Sequence, residues 1–283
     1  MRKRERVLKT LELEEPDMCP IHHLGFERTG TAFQHFQESD EAFELFEMNP
    51  VGDITEQRFW NADCWCMDPF QNKKHIRIPP PQEYPDHTLT HSGILRKKVK
   101  RPNGLIYTWY VKGYFRTKEI LKEYWNKYGT PFELLNENED YSAQKWEKYC
   151  KDLEPYLYPI ASLATTMWEA MFEGMGLDRM AYYMRKDPAF IHWLAGEYSK
   201  ANIEVIKRLH GAGVEVVMMA DDLGQKDRAL LSKKNFREFL LPEYRKMFNA
   251  ANNRGMFFVL HSCGNISELL PDLVDAGLDC IQA

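Results

Sequence analysis

Short apolar runs alternate with longer amphipathic segments through the second half of the chain. Four of these runs have the length and the composition of buried strands: 156–163, 214–220, 256–261 and 278–282. Helix signals separate them, with Asp187-Pro188 at one helix start and Gly211 as its expected left-handed stop. Because parallel strands need crossover connections, the pattern predicts successive β/α steps of an α/β barrel.

Later helix ends are marked in the same way. Ser232 and Gly255 are expected to bound one helix, which Pro242 should kink or split. Asn265 with Glu268 has the spacing of a capping box for the next helix.

The first half of the chain predicts a different kind of sheet. Residues 92–100 and 105–111 flank Arg101-Pro102-Asn103-Gly104, which indicates an antiparallel hairpin outside the barrel. Residues 61–67 predict a strand with two cysteines on one face, a pattern that favours buried thiols over ligands. We therefore expect one barrel domain over residues 1–283, with a hairpin insertion around 85–115.

Composition excludes several classes of protein. No apolar run approaches the ~18 residues that span a bilayer, so no membrane segment is expected. With a net charge of -5 and a pI near 6.0, the chain does not have the excess of basic residues that is typical of nucleic-acid binders. The six cysteines show no framework spacing, and the basic start lacks an apolar signal core. These features predict a cytoplasmic protein whose partners are small molecules and other proteins.

In a β/α barrel, the loops after the strands line the active site. Two polar segments qualify: 220–224, which contains Asp221 and Asp222, and 261–265, which contains His261 and Cys263. Adjacent aspartates face opposite sides of an extended chain, so one of them is expected in the cavity, to bind substrate or to handle a proton. The alternative is that both cap the following turn.

His261 and Cys263 are two residues apart at a strand end, so both side chains can point the same way and chelate one ion. An imidazole with a thiolate is a good zinc pair, and three protein ligands with one open position make a catalytic site. Cys280, on the next strand, is the candidate third ligand, although it also fits a core position. The alternative is that His261 forms hydrogen bonds inside the barrel while Cys263 is packed.

Four further residues are site candidates. Glu169 follows the 156–163 strand, where a carboxylate can reach a metal or a substrate, or can be a solvated helix residue. His22 and His23 lie near a predicted first strand, so one is expected to line the cavity as a substrate-binding residue. Asn265 ends the second polar segment and is the other substrate-binding candidate.

These motifs resemble the uroporphyrinogen decarboxylase superfamily, which includes zinc-dependent methyltransferases that work with corrinoid proteins. The resemblance covers nearly the whole chain and is strongest from about residue 187. It is carried by the following residues: Arg4-Glu5-Arg6-Val7-Leu8, Glu15-Pro16-Asp17, Pro20, Asp221-Asp222-Leu223-Gly224, Ser232, Phe236, Pro242, Gly255, His261-Ser262-Cys263-Gly264-Asn265 and Ala276-Gly277-Leu278-Asp279.

The methyltransferase branch is the closer match. True decarboxylases of the family pair arginines around a Gln-Ala-Gly core, whereas residues 21–28 hold one arginine beside a glutamate. The methyltransferases carry a His-x-Cys pair and a distant cysteine as zinc ligands, and His261 and Cys263 match the pair. The resemblance implies methyl transfer between a small methyl ether, methylamine or thiol and the cobalamin of a separate corrinoid protein.

Two alternatives stay open: a metal-free, decarboxylase-like lyase that uses Asp221 or Asp222, and a degenerate barrel that serves only as a binding subunit. The family's distant cysteine would fall beyond Ala283. The chain is therefore expected to end before the last β/α units of the TIM-type (β/α)8 barrel. A homodimer is compatible with the sequence.

Overall fold

The structure, a computed structural model, describes residues 1–22, 55–67, 77–100, 106–136, 143–163 and 165–282. Its helices are α1 (Lys3–Leu11), α2 (Thr55–Phe59), α3 (Lys118–Tyr128), α4 (Pro131–Asn136), α5 (Ala143–Leu153), α6 (Trp168–Met175), α7 (Leu177–Lys186), α8 (Pro188–Gly211), α9 (Lys233–Asn235), α10 (Leu241–Asn252) and α11 (Leu270–Asp275). Its strands are β1 (Cys64–Met67), β2 (Arg77–Ile78), β3 (His87–Thr90), β4 (Ile94–Lys100), β5 (Ile106–Gly113), β6 (Tyr158–Ser162), β7 (Val216–Ala220), β8 (Phe257–His261) and β9 (Cys280–Gln282).

A curled parallel sheet in the order β1-β6-β7-β8-β9 forms the centre of the fold. Alternate side chains of its strands, such as Ile160, Met218 and Val259, form an apolar cluster on the inner face of the curl. The intervening Met219 and Leu260 belong to the larger core on the helical side. The predicted α/β fold is confirmed, while the described residues form part of a TIM-like barrel rather than a closed ring of eight strands.

Helix α1 covers the end of the sheet where the strands begin. Val7 of α1 joins the inner apolar cluster. The Lys3 ammonium donates to the backbone oxygens of Ala62 and Tyr156, at 2.7 and 2.9 Å, just before β1 and β6 begin. The opposite end, where the strands finish, is therefore the end that holds the two polar segments.

The predicted hairpin is confirmed as β4 and β5, which pair antiparallel. They belong to a separate four-stranded sheet in the order β2-β3-β4-β5. This sheet rests directly on α6: the Phe115 amide donates to the Gly174 oxygen at 2.9 Å. A Cβ atom on Gly174 would lie 1.9 Å from the Ser92 oxygen, so only glycine allows this approach.

The four predicted strands of the second half are confirmed, each shorter by one or two residues at its start. The caps at Asp187 and Ser232 are confirmed as well, since their side chains accept from the Phe190 and Asn235 amides. Before Pro242 the chain forms one π-helical turn, Phe236–Leu240. That turn provides the irregularity expected beside a proline that cannot donate a hydrogen bond.

One predicted helix stop and one predicted helix start were wrong. Gly211 is the last residue of α8, and the left-handed residue is Gly213, with φ of 78°. Asn265 does not cap a helix, because α11 begins only at Leu270. Its side chain instead accepts from the Ser267 amide at 3.0 Å, a local bond that competes with helix formation.

Within these ranges, no helix combines the length and the apolar character that a membrane span requires.

Candidate metal centre

The loops that follow β7 and β8 are joined to each other along their backbones. The Asp221 amide donates to the His261 oxygen at 2.9 Å, and the Leu223 amide donates to the Ser262 hydroxyl at 2.9 Å. Further along, the Asn265 amide donates to the Gln225 oxygen at 2.8 Å. The two polar segments therefore form one continuous surface at the rim of the curled sheet.

Two glycines make this contact possible. A Cβ atom on Gly224 would lie 2.7 Å from the Cys263 oxygen, and one on Gly264 would lie 2.5 Å from the carbonyl carbon of Gly224. Gly264 also has φ of 79°, a left-handed conformation that costs L residues energy. Glycine in each motif thus allows one loop to lie against the other.

Replacing Gly264 by alanine should separate the two loops. We expect a loss of about 2–3 kcal/mol of unfolding free energy, from left-handed strain together with the backbone clash. Gly255→Ala is the matched control, because Gly255 also has positive φ (69°) but meets nothing within 4 Å. Chemical denaturation of both variants measures the difference, and equal losses would contradict the packing argument.

Asp222, His261 and Cys263 come together at this rim. Each offers one ligand atom, and the three atoms lie within 4.8 Å of one another. His261 Nε2 lies 3.4 Å from Cys263 Sγ and 3.8 Å from Asp222 Oδ1. Asp222 Oδ1 also accepts from the Cys263 amide at 2.8 Å, which fixes the carboxylate beside the thiol.

Strand β9 orients the imidazole. His261 and Gln282 are partners in the β8–β9 register, and Nδ1 of His261 donates to Oε1 of Gln282 at 2.5 Å. This bond leaves Nε2 with its lone pair toward Cys263 and Asp222. Metal-binding histidines are held in the same manner, by an outer hydrogen bond to the other ring nitrogen.

The donor set fits a divalent transition metal such as zinc. An imidazole nitrogen, a thiol and a carboxylate are all zinc ligands, and three protein ligands leave a fourth position for a reactant. Cys263 is exposed, so a small molecule can reach the thiol. Burial and the nearby charge of Asp222 raise the pKa of Cys263, whereas a bound cation would favour its thiolate.

Cys280 lies outside this group. It is the register partner of Val259, one inward-facing layer below His261, and it packs against the inner apolar cluster. Burial raises the pKa of its thiol. Asp222, rather than Cys280, is the third side chain beside the His261–Cys263 pair.

The substrate-binding candidates are placed as follows. The side-chain amide of Asn265 donates from Nδ2 to the backbone oxygen of Asp227 at 3.4 Å, so this side chain links the loop after β8 to the loop after β7. His22 Nε2 accepts from the Cys66 amide at 3.2 Å, beside strand β1. His23 lies outside the described residues.

Asp221 anchors helix α6. Its side chain is completely buried and accepts from the backbone amides of Met167, Trp168 and Glu169, at 3.3, 2.9 and 2.7 Å. The Tyr244 hydroxyl donates a further hydrogen bond to the same carboxylate. Burial raises the pKa of Asp221 to about 6, against the lowering effect of the hydrogen bonds from Tyr244 and from these backbone amides.

Glu169 is the second unusual carboxylate. It lies in the first turn of α6 and is partly buried. Burial, followed by the negative charges of Glu173, Asp221 and Asp222, raises the pKa of Glu169 to about 7, while Arg96 opposes the shift. A carboxyl group with a pKa near neutrality can both give and accept a proton at physiological pH.

Sequence reasoning missed Gln282 and Tyr244, which orient His261 and Asp221. Gln282 had one detectable signal, since it is a polar residue at the carboxyl end of a predicted barrel strand, where side chains line the active site. Tyr244 had none, because it lies in a helix among buried residues such as Met247, Phe248 and Ala251, where a tyrosine reads as an ordinary core residue.

Known proteins with related sequences bear on this site. Residues 158–283, which include both polar loops, match the sequence profile described as uroporphyrinogen decarboxylase. This match supports the uroporphyrinogen decarboxylase superfamily for that part of the chain. The chain is also 27% identical over 126 residues to a methylated-thiol–coenzyme M methyltransferase of Methanosarcina mazei. That match covers 44% of the chain and spans 33% of the relative's length.

A solved structure shares its fold with nearly all of the chain. A methyltransferase from Methanosarcina mazei superposes with a TM-score of 0.58 at 15% identity, covering 99% of this chain and 75% of that one. At this identity the likeness concerns the fold alone. It agrees with a curled parallel sheet whose strand ends form a common rim.

Proposed function

We propose that this chain carries the active site of a zinc-dependent methyltransferase, which moves a methyl group between a small substrate and a corrinoid protein. One observation carries the proposal: His261, Cys263 and Asp222 converge at the strand ends that form active sites in barrels. The methyltransferase name of the superfamily relative supports the same reaction class. The expected small substrates are a methyl ether, a methylamine or a thiol.

His261, Cys263 and Asp222 would hold the zinc ion. When bound, zinc would supply positive charge that polarises a substrate oxygen or lowers the pKa of a substrate thiol. The protein's own contribution is orientation. Gln282 keeps Nε2 of His261 directed at the site, and the Cys263 amide holds the Asp222 carboxylate in place.

Glu169 is proposed to handle the proton. In methyl transfer to a thiol, the sulfur gains a methyl group and loses its proton, while the cobalt of the corrinoid keeps the electron pair. The charge of Asp222 raises the pKa of Glu169, and the charge of Glu169 in turn raises the pKa of Cys263, so Glu169 is close enough to this rim to take up the proton. In the opposite direction it returns the proton to the leaving sulfur, oxygen or nitrogen.

This role predicts a pH dependence. A base with a pKa of about 7 is protonated below that pH, so the rate of thiol methylation should fall as pH decreases through 7. Glu169→Gln should lower the rate by about 100-fold or more and remove this limb of the profile. Glu173→Gln, one helical turn further along α6, is the comparison variant: it removes a charge that raises the pKa of Glu169, so it should shift this limb to lower pH and leave the plateau rate unchanged. An unchanged profile in Glu169→Gln would exclude the role.

The experiment that tests the function uses the complete protein with zinc, free methylcobalamin and a panel of small thiols. Conversion of methylcobalamin to cob(I)alamin, followed by its absorbance, reports methyl transfer directly. Activity that requires zinc and depends on Cys263 is the expected result. Absence of transfer from free and protein-bound methylcobalamin alike, for every thiol, would reject the proposal.

The metal-free lyase remains the second candidate function, because the matching family profile is that of a decarboxylase. It predicts turnover that survives Cys263→Ser and fails in Asp222→Asn. The dense hydrogen bonding of Asp221 argues for a structural role of that residue, which leaves Asp222 as the one of the two adjacent aspartates that is available for such chemistry. The same two variants therefore separate the two functions.

A further inference from the structure

Strands β4 and β5 share a segment that we call the ribbon, defined here as residues 96–100 and 108–112. Arg96 and Lys97 still pair with β3, and from Lys98 onward the strand pair extends beyond β3. Residues 97–100 and 108–111 are all exposed, so both faces of the ribbon contact solvent. A strand pair that packs on a core would bury every second residue. The described part of the protein therefore provides no cover for this ribbon.

The ribbon lies in a strongly basic region of an acidic chain. Residues 87–118 contain eight lysines and arginines and no aspartate or glutamate, although the whole chain carries a net charge of -5. Among the described residues, no ion pair involves Lys97, Lys98 or Lys100. These ammonium groups have no acidic partner within the described fold.

The strand register sorts the ribbon side chains into two faces. Arg96 pairs with Tyr110 and Lys98 with Thr108, so one face is a row of cations beside a tyrosine. Lys97 pairs with Trp109 on the other face. Trp109 is 61% exposed and Tyr110 is 41% exposed. Tryptophan, tyrosine and arginine are the residues that dominate binding energy at protein interfaces.

The base of the ribbon lies close to the candidate metal centre. Arg96 forms an ion pair with Glu173 at 3.4 Å, and the Tyr110 hydroxyl donates to the Glu173 backbone oxygen at 3.3 Å. Glu173 lies one helical turn after Glu169 on α6, about 6 Å along the helix axis. A partner bound along the cationic face would therefore stand beside the rim that holds Asp222 and Cys263.

We propose that this ribbon docks an acidic surface of the protein that carries the corrinoid. The inference rests on the proposed function, in which a group bound to a second protein must reach the metal centre. Charge complementarity favours an acidic protein, and the exposed aromatic residues supply the apolar part of such an interface. Nucleic acid and anionic membrane are the other polyanions that the test must separate.

The test compares Lys98→Glu/Lys100→Glu with Lys234→Glu/Arg245→Glu, a control that makes the same charge change on exposed helical positions. Trp109→Ala is a second variant that leaves charge unaltered. The probe is a purified acidic corrinoid-binding protein from the same genome, loaded with methylcobalamin. Methyl transfer from this protein and from free methylcobalamin is measured at low and high salt, and binding is measured by sedimentation velocity.

The ribbon variant should raise the KM for the corrinoid protein by about tenfold or more at low salt, with a smaller effect at high salt. Trp109→Ala should weaken binding at both salt concentrations. Rates with free methylcobalamin should not change, and the helical control should behave like the wild type. This pattern would assign the ribbon to docking.

Equal KM values and equal binding for the wild type, the ribbon variants and the helical control would overturn the proposal. Unaltered protein binding with lost affinity for oligothymidylate, or for phosphatidylglycerol vesicles, would overturn it in favour of another polyanion. Failure of the proposed function gives a different result, namely no transfer from free methylcobalamin by the wild type. Sedimentation then still reports whether the ribbon binds the corrinoid protein.

Discussion

Cys263→Ser is expected to remove bound zinc and to abolish methyl transfer. The thiolate is the softest donor of the proposed site, and serine is a much weaker zinc ligand. Even outer hydrogen-bond partners of metal ligands contribute about 10–100-fold to affinity, so loss of a direct ligand should cost more than that. Zinc content by elemental analysis and the methylcobalamin assay measure the two effects.

The matched control is Cys280→Ser. Cys280 lies in the apolar layer below His261, so its replacement should leave zinc content unchanged. Asp222→Asn should weaken zinc binding, because an amide is a poorer ligand than a carboxylate. If Cys280→Ser loses zinc and Asp222→Asn retains it, Cys280 rather than Asp222 is the third zinc ligand.

Asp221→Ala is expected to destabilise the protein by about 3 kcal/mol or more. The substitution leaves three backbone amides and the Tyr244 hydroxyl without their buried acceptor. For a chain of this size, such a loss lowers the Tm by about 6–12 °C. Calorimetry measures the change, and helix α6 should be the element that loosens first.

Tyr244→Phe is a milder variant that serves as the control for the hydrogen bonds to the Asp221 carboxylate. It removes one donor and leaves the three amide bonds to Asp221 intact, so we expect a loss of about 1 kcal/mol. If Asp221→Ala unfolds no more easily than Tyr244→Phe, the carboxylate does not anchor α6. A large loss of activity with unchanged stability would instead return Asp221 to the list of catalytic candidates.

The fold of the second half was readable from sequence because its signals are local. Apolar runs predict buried strands, and Asp187 and Ser232 cap helices through amides only three residues away. The end of α8 was misplaced because two glycines lie within three residues, and composition cannot tell which one adopts positive φ. Gly213 does so, and Gly211 remains helical.

The site was only partly predictable because it depends on contacts between distant segments. His261 and Cys263 were identified from their spacing at one strand end. Selecting Asp222 over Asp221 requires the position of α6, whose first amides bind Asp221 and leave Asp222 at the rim. The role of Gln282 depends on the β8–β9 register, which no local pattern specifies.

Zinc K-edge X-ray absorption of the complete protein tests the central claim most directly. The account predicts bound zinc with a sulfur neighbour at about 2.3 Å and nitrogen or oxygen neighbours at about 2.0–2.2 Å. In Cys263→Ser this sulfur contribution should disappear from whatever zinc remains. A protein that binds no zinc, or a sulfur shell that is identical in the variant, would contradict the account.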